Sequence, residues 1–199
     1  MTLTLSVELS EQAVDSLLAG RRPDEANGLP GGLEKTMARL RDAPCELELA
    51  RGERTGRGWV EQHLAALVVP TASAWQLHLV PTEFVPYVLA RMNAVGPRSG
   101  RASTPLVRFA PGALARALAT GDHEVTRGLR EHWRVVAMWL TEPENVARRS
   151  VEVIDTDTGL WLVAPVDGEV EVTHTRPTEV FRHLCALLPE PDELSDGLG

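Results

Sequence analysis

Hydrophobic positions follow two different periods along the chain. In "WQLHLV" (75–80) and "EVEVTH" (169–174), apolar and polar residues alternate, which is typical of half-buried strands. Other segments repeat apolar residues at i, i+3 and i+4, which predicts amphipathic helices. These helical positions are Val14, Leu17 and Leu18, and in the second half of the chain Leu114, Ala117 and Leu118. The mixture predicts an α+β protein.

The same patterns occur twice and in the same order. "HLVPTEFVPYVLARM" (78–92) corresponds to "HTRPTEVFRHLCALL" (174–188), with a histidine three residues before Pro-Thr-Glu in both. Farther upstream, "TLSVELSEQAVDSLLAG" (4–20) corresponds to "TPLVRFAPGALARALAT" (104–120). Because several segments correspond at nearly constant spacing, the sequence predicts an internal duplication.

Each half reads as β-α-α-β-β-β-α. The second helix is predicted at about Leu33 to Arg41 in the first half and Glu124 to His132 in the second. The stretches "RGERTGRG" and "TEPENVARR" are interpreted as connections between strands. A Gly-, Pro- and Ser-rich linker at 94–104 marks the repeat boundary.

One half alone is small and leaves sheet edges unpaired, so two halves are expected to share one sheet. We therefore predict an α+β fold whose central, mainly antiparallel sheet is built from two quasi-twofold-related β-α-α-β-β-β-α repeats and flanked by helices. The repeats span about 1–95 and 103–188 of a single domain, 1–188. The acidic, Pro- and Gly-punctuated tail 189–199 is predicted to be disordered.

The repeated Pro-Thr-Glu triplet has two interpretations. Glu83 and Glu179 could form a symmetric carboxylate pair, with His78 and His174 as partners. Alternatively, the triplet starts a helix, because proline ends the preceding strand, threonine caps free amides and glutamate suits the positive helix end. The sequence favours the helix start.

Composition and charge exclude several classes of protein. The net charge is −8 and no basic stripe is present, which argues against nucleic-acid binding. No apolar run reaches the roughly 18 residues that predict membrane insertion. The start of the chain lacks secretory-signal features, and Cys45 and Cys185 have no metal spacing. Both cysteines are interpreted as buried free thiols, and the predicted location is the cytoplasm.

Motifs for chemistry are missing from the sequence. No nucleophile elbow, phosphate-binding loop, dinucleotide fingerprint or zinc-ligand spacing occurs. The acids of "IDTDTG" (154–159) resemble part of a calcium loop, but the residues that follow read as a strand, so a hairpin turn explains them better. We therefore predict neither catalysis nor a metal or cofactor.

Partner binding remains as the most plausible activity. The five tryptophans lie on or beside predicted strands, and most are expected in the core. The segment "ARGERTGRGW" (50–59) carries Arg51, Arg54 and Arg57 among three glycines and ends at Trp59. A flexible loop of this composition could clasp an acidic or helical partner. The sequence slightly favours the alternative, a solvated hairpin loop.

Two long stretches resemble the EspG family of actinobacterial type VII secretion. "DTDTGLWLVAPVDGEVEVTHTRPTEVFRHLCALL" (155–188) has the family's acidic turn, strand, short turn, strand and Ala- and Leu-rich helix. The mid-chain stretch "LHLVPTEFVPYVLARMNAVGPRSGRASTPLVRFAPGALARAL" (77–118) has its Pro-led helix, Gly-Pro linker, short strand and Ala-Leu helix. The resemblance covers about residues 3–188 and rests on pattern and order.

The resemblance implies a cytosolic, non-catalytic chaperone for an aggregation-prone secretion substrate. In the best-known members, that substrate is the helical tip of a PE–PPE heterodimer, and the fold is a quasi-twofold sheet flanked by helical bundles. A loop between the second and third strands contacts the substrate there, and its counterpart here is Arg51 to Gly58. Two other hypotheses stay open, namely a homodimer formed through free sheet edges and an uncharacterised enzyme.

Overall fold

The computed structural model describes residues 5–19, 29, 32–71, 74–97, 106–142, 145–190 and 192–194. These residues confirm the α+β class. A 3₁₀ turn, Thr82–Phe84, precedes the third helix. The elements in chain order are β1 (Leu5–Leu9), α1 (Glu11–Leu18), α2 (Leu33–Leu40), β2 (Cys45–Arg51), β3 (Arg54–Val60), β4 (Ala65–Pro70), β5 (Trp75–Val80), α3 (Val85–Met92), β6 (Leu106–Phe109), α4 (Ala113–Thr120), β7 (Leu129–Glu142), β8 (Asn145–Thr156), β9 (Gly159–Val166), β10 (Glu169–Thr175) and α5 (Pro177–Cys185).

The strands form one antiparallel sheet in the order β1-β5-β4-β3-β2-β7-β8-β9-β10-β6. The antiparallel sheet agrees with the sequence prediction. The strand order of the second half is that of the first half read backwards, so the first strand of each half pairs with the last. The shared order is compatible with a duplication, which itself stays a prediction.

Among the described residues, each half has five strands, one more than predicted. The residues interpreted as connections form most of β3 and the first part of β8, so that part of the β-α-α-β-β-β-α pattern is wrong. Both strands have a hydrogen-bonded neighbour on either side. Pairing on both sides outweighs the low strand preference of glycine and charged residues, because strand propensity depends strongly on context.

The second helix is confirmed in the first half and wrong in the second. At the predicted helix 124–132, the chain makes turns in which Arg127 N–H donates to the His123 carbonyl at 2.8 Å. Gly128, at φ 67°, ends the turns, and β7 begins at Leu129. The aromatic and β-branched residues that follow, in "HWRVVAMWL", favour the strand over a helix.

The described chain divides into two compact units, of which unit 1 is Met1–Val85, Val136–Arg149 and Leu188–Gly199. In its core, α1 and α2 pack on one face of the sheet. Ser10 caps α1 as predicted, since its Oγ accepts from Ala13 N–H at 3.3 Å. The buried residues of this core are Leu9, Ala13, Val14, Leu17, Leu29, Leu33, Met37, Leu40, Trp59, Ala66, Val68, Leu77 and Leu79.

Unit 2 is Pro86–Val135 and Ser150–Leu187. Here α4 packs over the strands, and the turn between β8 and β9 is the predicted Asp-Thr hairpin, with Thr156 paired to Gly159. The buried residues of this core are Phe109, Leu114, Ala117, Val125, Ile154, Trp161 and Val172. The single domain 1–188 and its repeats, about 1–95 and 103–188, stay predictions, and part of the predicted linker lies outside the described residues.

Both Pro-Thr-Glu triplets start a helical segment, but their threonines do not cap it. Thr82 Oγ1 donates instead to the Glu61 carbonyl at 2.7 Å. The second triplet starts with Pro177 as the first residue of α5, so Thr178 lies inside the helix and Arg176 is the N-cap residue. Proline suits this position because the first helical amide has no intrahelical acceptor.

The two cysteines differ in exposure. Cys45 is 1% exposed, and burial raises the pKa of its thiol to about 12. Cys185 is exposed on α5, so the prediction that both thiols are buried is wrong for this residue. Its position on α5 is the reason, because the buried side chains of that helix are Val180 and Leu184.

The acidic tail is partly described. Residues 191 and 195–199 of the predicted disordered segment 189–199 lie outside the described residues. Within the described part, Glu193 pairs with Arg149, the nearest oxygen and nitrogen being 2.5 Å apart. This portion of the tail is therefore attached to β8.

Candidate partner-binding site

The predicted clasp is a β-hairpin with a two-residue turn. Strands β2 and β3 pair from Cys45 opposite Val60 to Arg51 opposite Arg54, which leaves only Gly52 and Glu53 in the turn. Gly52 has φ 57° at the first central position, where type II′ hairpin turns require a positive φ. The flexible loop predicted at 50–59 is therefore wrong, because most of its residues are paired in strands.

The hairpin separates the arginines onto two faces of the sheet. Successive strand residues point to opposite faces, so Arg57 and Trp59 share one face of β3. Arg54 lies on the other face, as does Arg51, which pairs with it directly. The structure thus brings together Arg57 with Trp59 and Arg51 with Arg54, but it does not gather all four residues.

Arg57 is fixed by two contacts within the hairpin. Its Nη2 lies 2.6 Å from Glu46 Oε2, and its guanidinium carbon lies 5.6 Å from the centroid of the Trp59 ring. Trp59 itself is 3% exposed and belongs to the core of unit 1. The Trp59 ring therefore contacts the Arg57 guanidinium, but almost none of its surface is accessible to a partner.

Two glycines fix the spacing of β3 against its neighbours. A Cβ added at Gly58 would lie 2.7 Å from Leu67 Cδ2 and 3.1 Å from Leu47 Cβ. A Cβ at Gly56 would collide with the carbonyl oxygen of Val68. These glycines therefore serve close packing of strands, rather than the flexibility that the sequence suggested.

A groove of about 330 Å³ opens beside Arg57 in unit 1. Its lining residues are Leu18, Glu46, Leu47, Glu48, Thr55, Gly56, Arg57 and Met138. The alternation in "CELELA" could have revealed Glu46 and Glu48 as one exposed side of a strand. Met138 could not have been found in this way, because its place depends on β7 lying next to β2 in the sheet.

Among its described lining residues, the groove is mixed in polarity and has no excess of positive charge. Glu46 and Glu48 contribute two carboxylates against the single guanidinium of Arg57, which already pairs with Glu46. Leu18 and Met138, which are half-buried, contribute apolar surface, whereas Leu47 is fully buried beneath the groove. An acidic partner is therefore disfavoured at this groove, whereas a helix offering one apolar and one basic side chain suits it.

The histidines and glutamates around the triplets have other contacts. Glu179 pairs with Arg182 within α5, and His174 packs edge to face on Trp161 with 5.2 Å between ring centroids. Glu83 lies in the 3₁₀ turn, and His78 lies on β5 opposite Leu67. Over the described ranges, no group of three or more His, Cys, Asp or Glu residues could hold a metal ion.

Comparison with known proteins gives one informative result. No protein-family model matches the chain, and no curated protein matches it significantly. Among solved structures, the chain is similar to the type VII secretion system chaperone EspG5 of Mycobacterium tuberculosis, solved in complex with the PE25–PPE41 dimer. The superposition covers 97% of this chain and 100% of that chain, with a TM-score of 0.57 at 9% identity.

The chain has the EspG fold. The resemblance inferred from the sequence is thus confirmed at the level of the fold. At 9% identity, this EspG fold carries no residue-by-residue correspondence, so the roles of Arg51, Arg54, Arg57 and Trp59 stay predictions. In the part of the EspG-fold chain that the structure describes, no helix is long and apolar enough to cross a membrane.

Proposed function

We propose that this chain is an EspG-family chaperone that binds a helical type VII secretion substrate of the PE–PPE kind and keeps it soluble for export. The observation that carries the proposal is the likeness to EspG5 over nearly the whole of both chains. EspG5 is described as a secretion chaperone and was solved with a PE25–PPE41 dimer. The proposal includes a cytoplasmic location and a function by binding alone, without catalysis, metal or cofactor.

The groove beside the β2–β3 hairpin supports this function and is its proposed contact site. A volume of about 330 Å³ is at the lower end for a ligand pocket, so it would receive side chains of a partner helix rather than the helix itself. An apolar side chain would contact Leu18 and Met138, while a basic one would pair with Glu48. Arg51 and Arg54 point to the other face of the hairpin, so they would meet acidic groups only of a partner segment that passes around the hairpin end.

The complete interface must extend well beyond the groove. Stable protein complexes bury roughly 1,600 Å² in total, so a complex of this kind should survive gel filtration. The test is co-expression of the chain with the PE–PPE pair encoded beside its gene, followed by gel filtration with light scattering. We expect one peak that contains all three chains, and absence of that peak contradicts the proposed function.

A charge reversal separates the groove from the rest of the surface. Glu48→Arg changes an exposed side chain of the groove that lies opposite Arg57, so the monomer should lose no more than about 1 kcal/mol of stability. The complex should weaken about tenfold, because a charged contact at an interface becomes repulsive. Glu169→Arg, on an exposed strand position of unit 2, is the matched control. Equal affinities of the two variants would place the contact away from the groove while leaving the chaperone function intact.

A homodimer is the second candidate function. Within the described residues, β1 and β6 are the outermost strands of the sheet, and Leu5 and Leu106 on them are 40% and 41% exposed. Outermost strands offer main-chain groups for pairing with another copy. Light scattering at several concentrations tests this candidate, and a constant monomer mass counts against it.

A further inference from the structure

A second arginine rests on a tryptophan in unit 1, at the β7–β8 hairpin. The guanidinium carbon of Arg149 lies 5.1 Å from the centroid of the Trp139 ring. Trp139 is 4% exposed, so the ring forms a fixed platform. A guanidinium over an aromatic face is attracted by the negative potential of the ring.

Arg149 binds the C-terminal segment of the chain. Arg149 Nη1 donates to the Leu188 carbonyl at 2.9 Å, and Nη2 donates to Glu193 Oε1 at 2.5 Å. The arginine therefore binds one main-chain carbonyl and one carboxylate of the same short segment. Recognition of two acceptors at fixed spacing is what distinguishes a guanidinium from a simple positive charge.

The segment presents its carboxylate from a turn. Glu193 N–H donates to the Glu190 carbonyl at 2.9 Å, and Glu193 Oε2 accepts from Glu190 N–H at 2.8 Å. These bonds direct the other carboxylate oxygen, Oε1, to Arg149. The chemistry that fits the site is thus an acidic turn with a free carbonyl a few residues earlier.

The contact between Arg149 and Glu193 is weak and is made by a segment of the same chain, as expected of a tethered ligand that can exchange. The side chains of Arg149 and Glu193 are 37% and 32% exposed, and ion pairs this close to solvent are weak. The segment belongs to the same chain as Arg149, so its covalent attachment supplies a high effective concentration. A weak contact that depends on a tether can be displaced by a similar segment of another protein.

We infer that Arg149 and Trp139 form a binding site for acidic turn segments, which the chain's own segment Leu188–Glu193 occupies until an acidic segment of a partner displaces it. The site lies on the opposite face of β7 from the groove, because Trp139 and the groove residue Met138 are successive strand residues, and it selects the opposite charge. The inference does not depend on the chaperone proposal, because it rests on contacts within this chain.

A peptide assay tests the inference on the full-length chain. The probe is a fluorescently labelled synthetic peptide of residues 188–199, titrated at low salt and followed by anisotropy. Glu193→Gln weakens the internal contact, so we expect this variant to bind the peptide about two- to fivefold more tightly than the unaltered chain, as for an exposed charge pair. Glu190→Gln removes the same charge, but Glu190 contributes only main-chain groups to the described contacts, so it should bind like the unaltered chain.

Two controls make the result decisive. Arg149→Lys, combined with Glu193→Gln, keeps the positive charge but loses the paired N–H groups, and we expect it to return peptide binding to the level of the unaltered chain or below. Circular dichroism melts check that each variant folds. Equal binding by Glu193→Gln and Glu190→Gln overturns the inference, as does undiminished binding by the double variant.

Discussion

The two hairpins of unit 1 use the same pair of residue types for different purposes. In β2–β3, Arg57 stacks over Trp59 and pairs with Glu46 of the same hairpin. In β7–β8, Arg149 stacks over Trp139 and pairs with Glu193 from the C-terminal segment. Glu46 is fixed in a paired strand, so its contact with Arg57 stabilises the hairpin itself. Glu193 belongs to a tethered segment, so Arg149 is the arginine that we propose binds an exchangeable ligand.

The largest expected effect comes from removing either indole. Trp59→Ala and Trp139→Ala each remove a side chain that is more than nine-tenths buried, so we expect each to lower the free energy of unfolding by about 3–5 kcal/mol. Guanidinium denaturation followed by circular dichroism measures the loss. Trp75→Ala, at a half-buried position, is the control and should cost less. If Trp139→Ala were as stable as the unaltered chain, the Trp139 ring would not be firmly packed. Arg149 would then lack the rigid aromatic contact that makes the two hairpins comparable.

The next effect concerns the glycines that fix β3. Gly58→Ala should lower the free energy of unfolding by about 1–3 kcal/mol, because the added methyl group meets Leu67 and Leu47 in a packed sheet. Thr55→Ala, on an exposed position of the same strand, should stay within about 0.5 kcal/mol of the unaltered chain. Chemical denaturation of both variants measures the difference, and equal stabilities would mean that the hairpin is looser than its packing indicates.

A double-mutant cycle measures the coupling in the β2–β3 hairpin. For Arg57→Ala and Glu46→Ala, we expect a coupling energy of about 0.5–1 kcal/mol, because both side chains are about one-third exposed and water screens the pair. Denaturation of the two single variants and the double variant supplies the values. Zero coupling would remove the distinction between a fixed and an exchangeable pair.

The smallest expected effect is a pH dependence of the tail contact. Two hydrogen bonds lower the pKa of the Glu193 carboxyl below its ordinary value of about 4.3. The bond from the Glu190 main-chain N–H has the larger effect, and the bond from Arg149 has the smaller one. A lowered pKa in the folded state means that the contact is fully formed above the ordinary value and is lost as pH falls through the lowered one. Amide hydrogen exchange at Glu190 between pH 5 and pH 2, corrected for intrinsic rates, should show protection lost on acidification. The Glu193→Gln variant should show no such step.

Much of the fold was predictable because its signals are local. Period-two alternation identified β5 and β10, and the i, i+3, i+4 spacing identified α1 and α4. Ser10 was a recognisable cap for the same reason. Each of these features depends on residues close together in the chain, so no knowledge of the sheet was needed.

The failures share a cause, which is dependence on distant parts of the chain. β3 looks like a loop because Gly56 and Gly58 suit a turn, and only the proximity of β2 and β4 explains them. Part of the groove could be predicted from the sequence, because the alternation in β2 indicates that Glu46 and Glu48 share one face. Met138 could not be assigned to the groove, because its place there depends on β7 lying next to β2. The contact of Arg149 with Glu193 joins residues with no shared local pattern, so the sequence could not have indicated it.

The order of strands has a consequence for synthesis on the ribosome. Among the strands that the structure describes, the one made first in each half, β1 or β6, pairs only with the one made last, β5 or β10. Leu5 therefore cannot pair until Leu79 has been synthesised, and Leu106 cannot pair until Thr173 has been synthesised. The intervening hairpins can form as they emerge. Long-range pairings of this kind are slow to close and expose apolar strands in the meantime. A nascent chain of this protein would therefore be a substrate for general folding factors until the last strand of each half has left the ribosome.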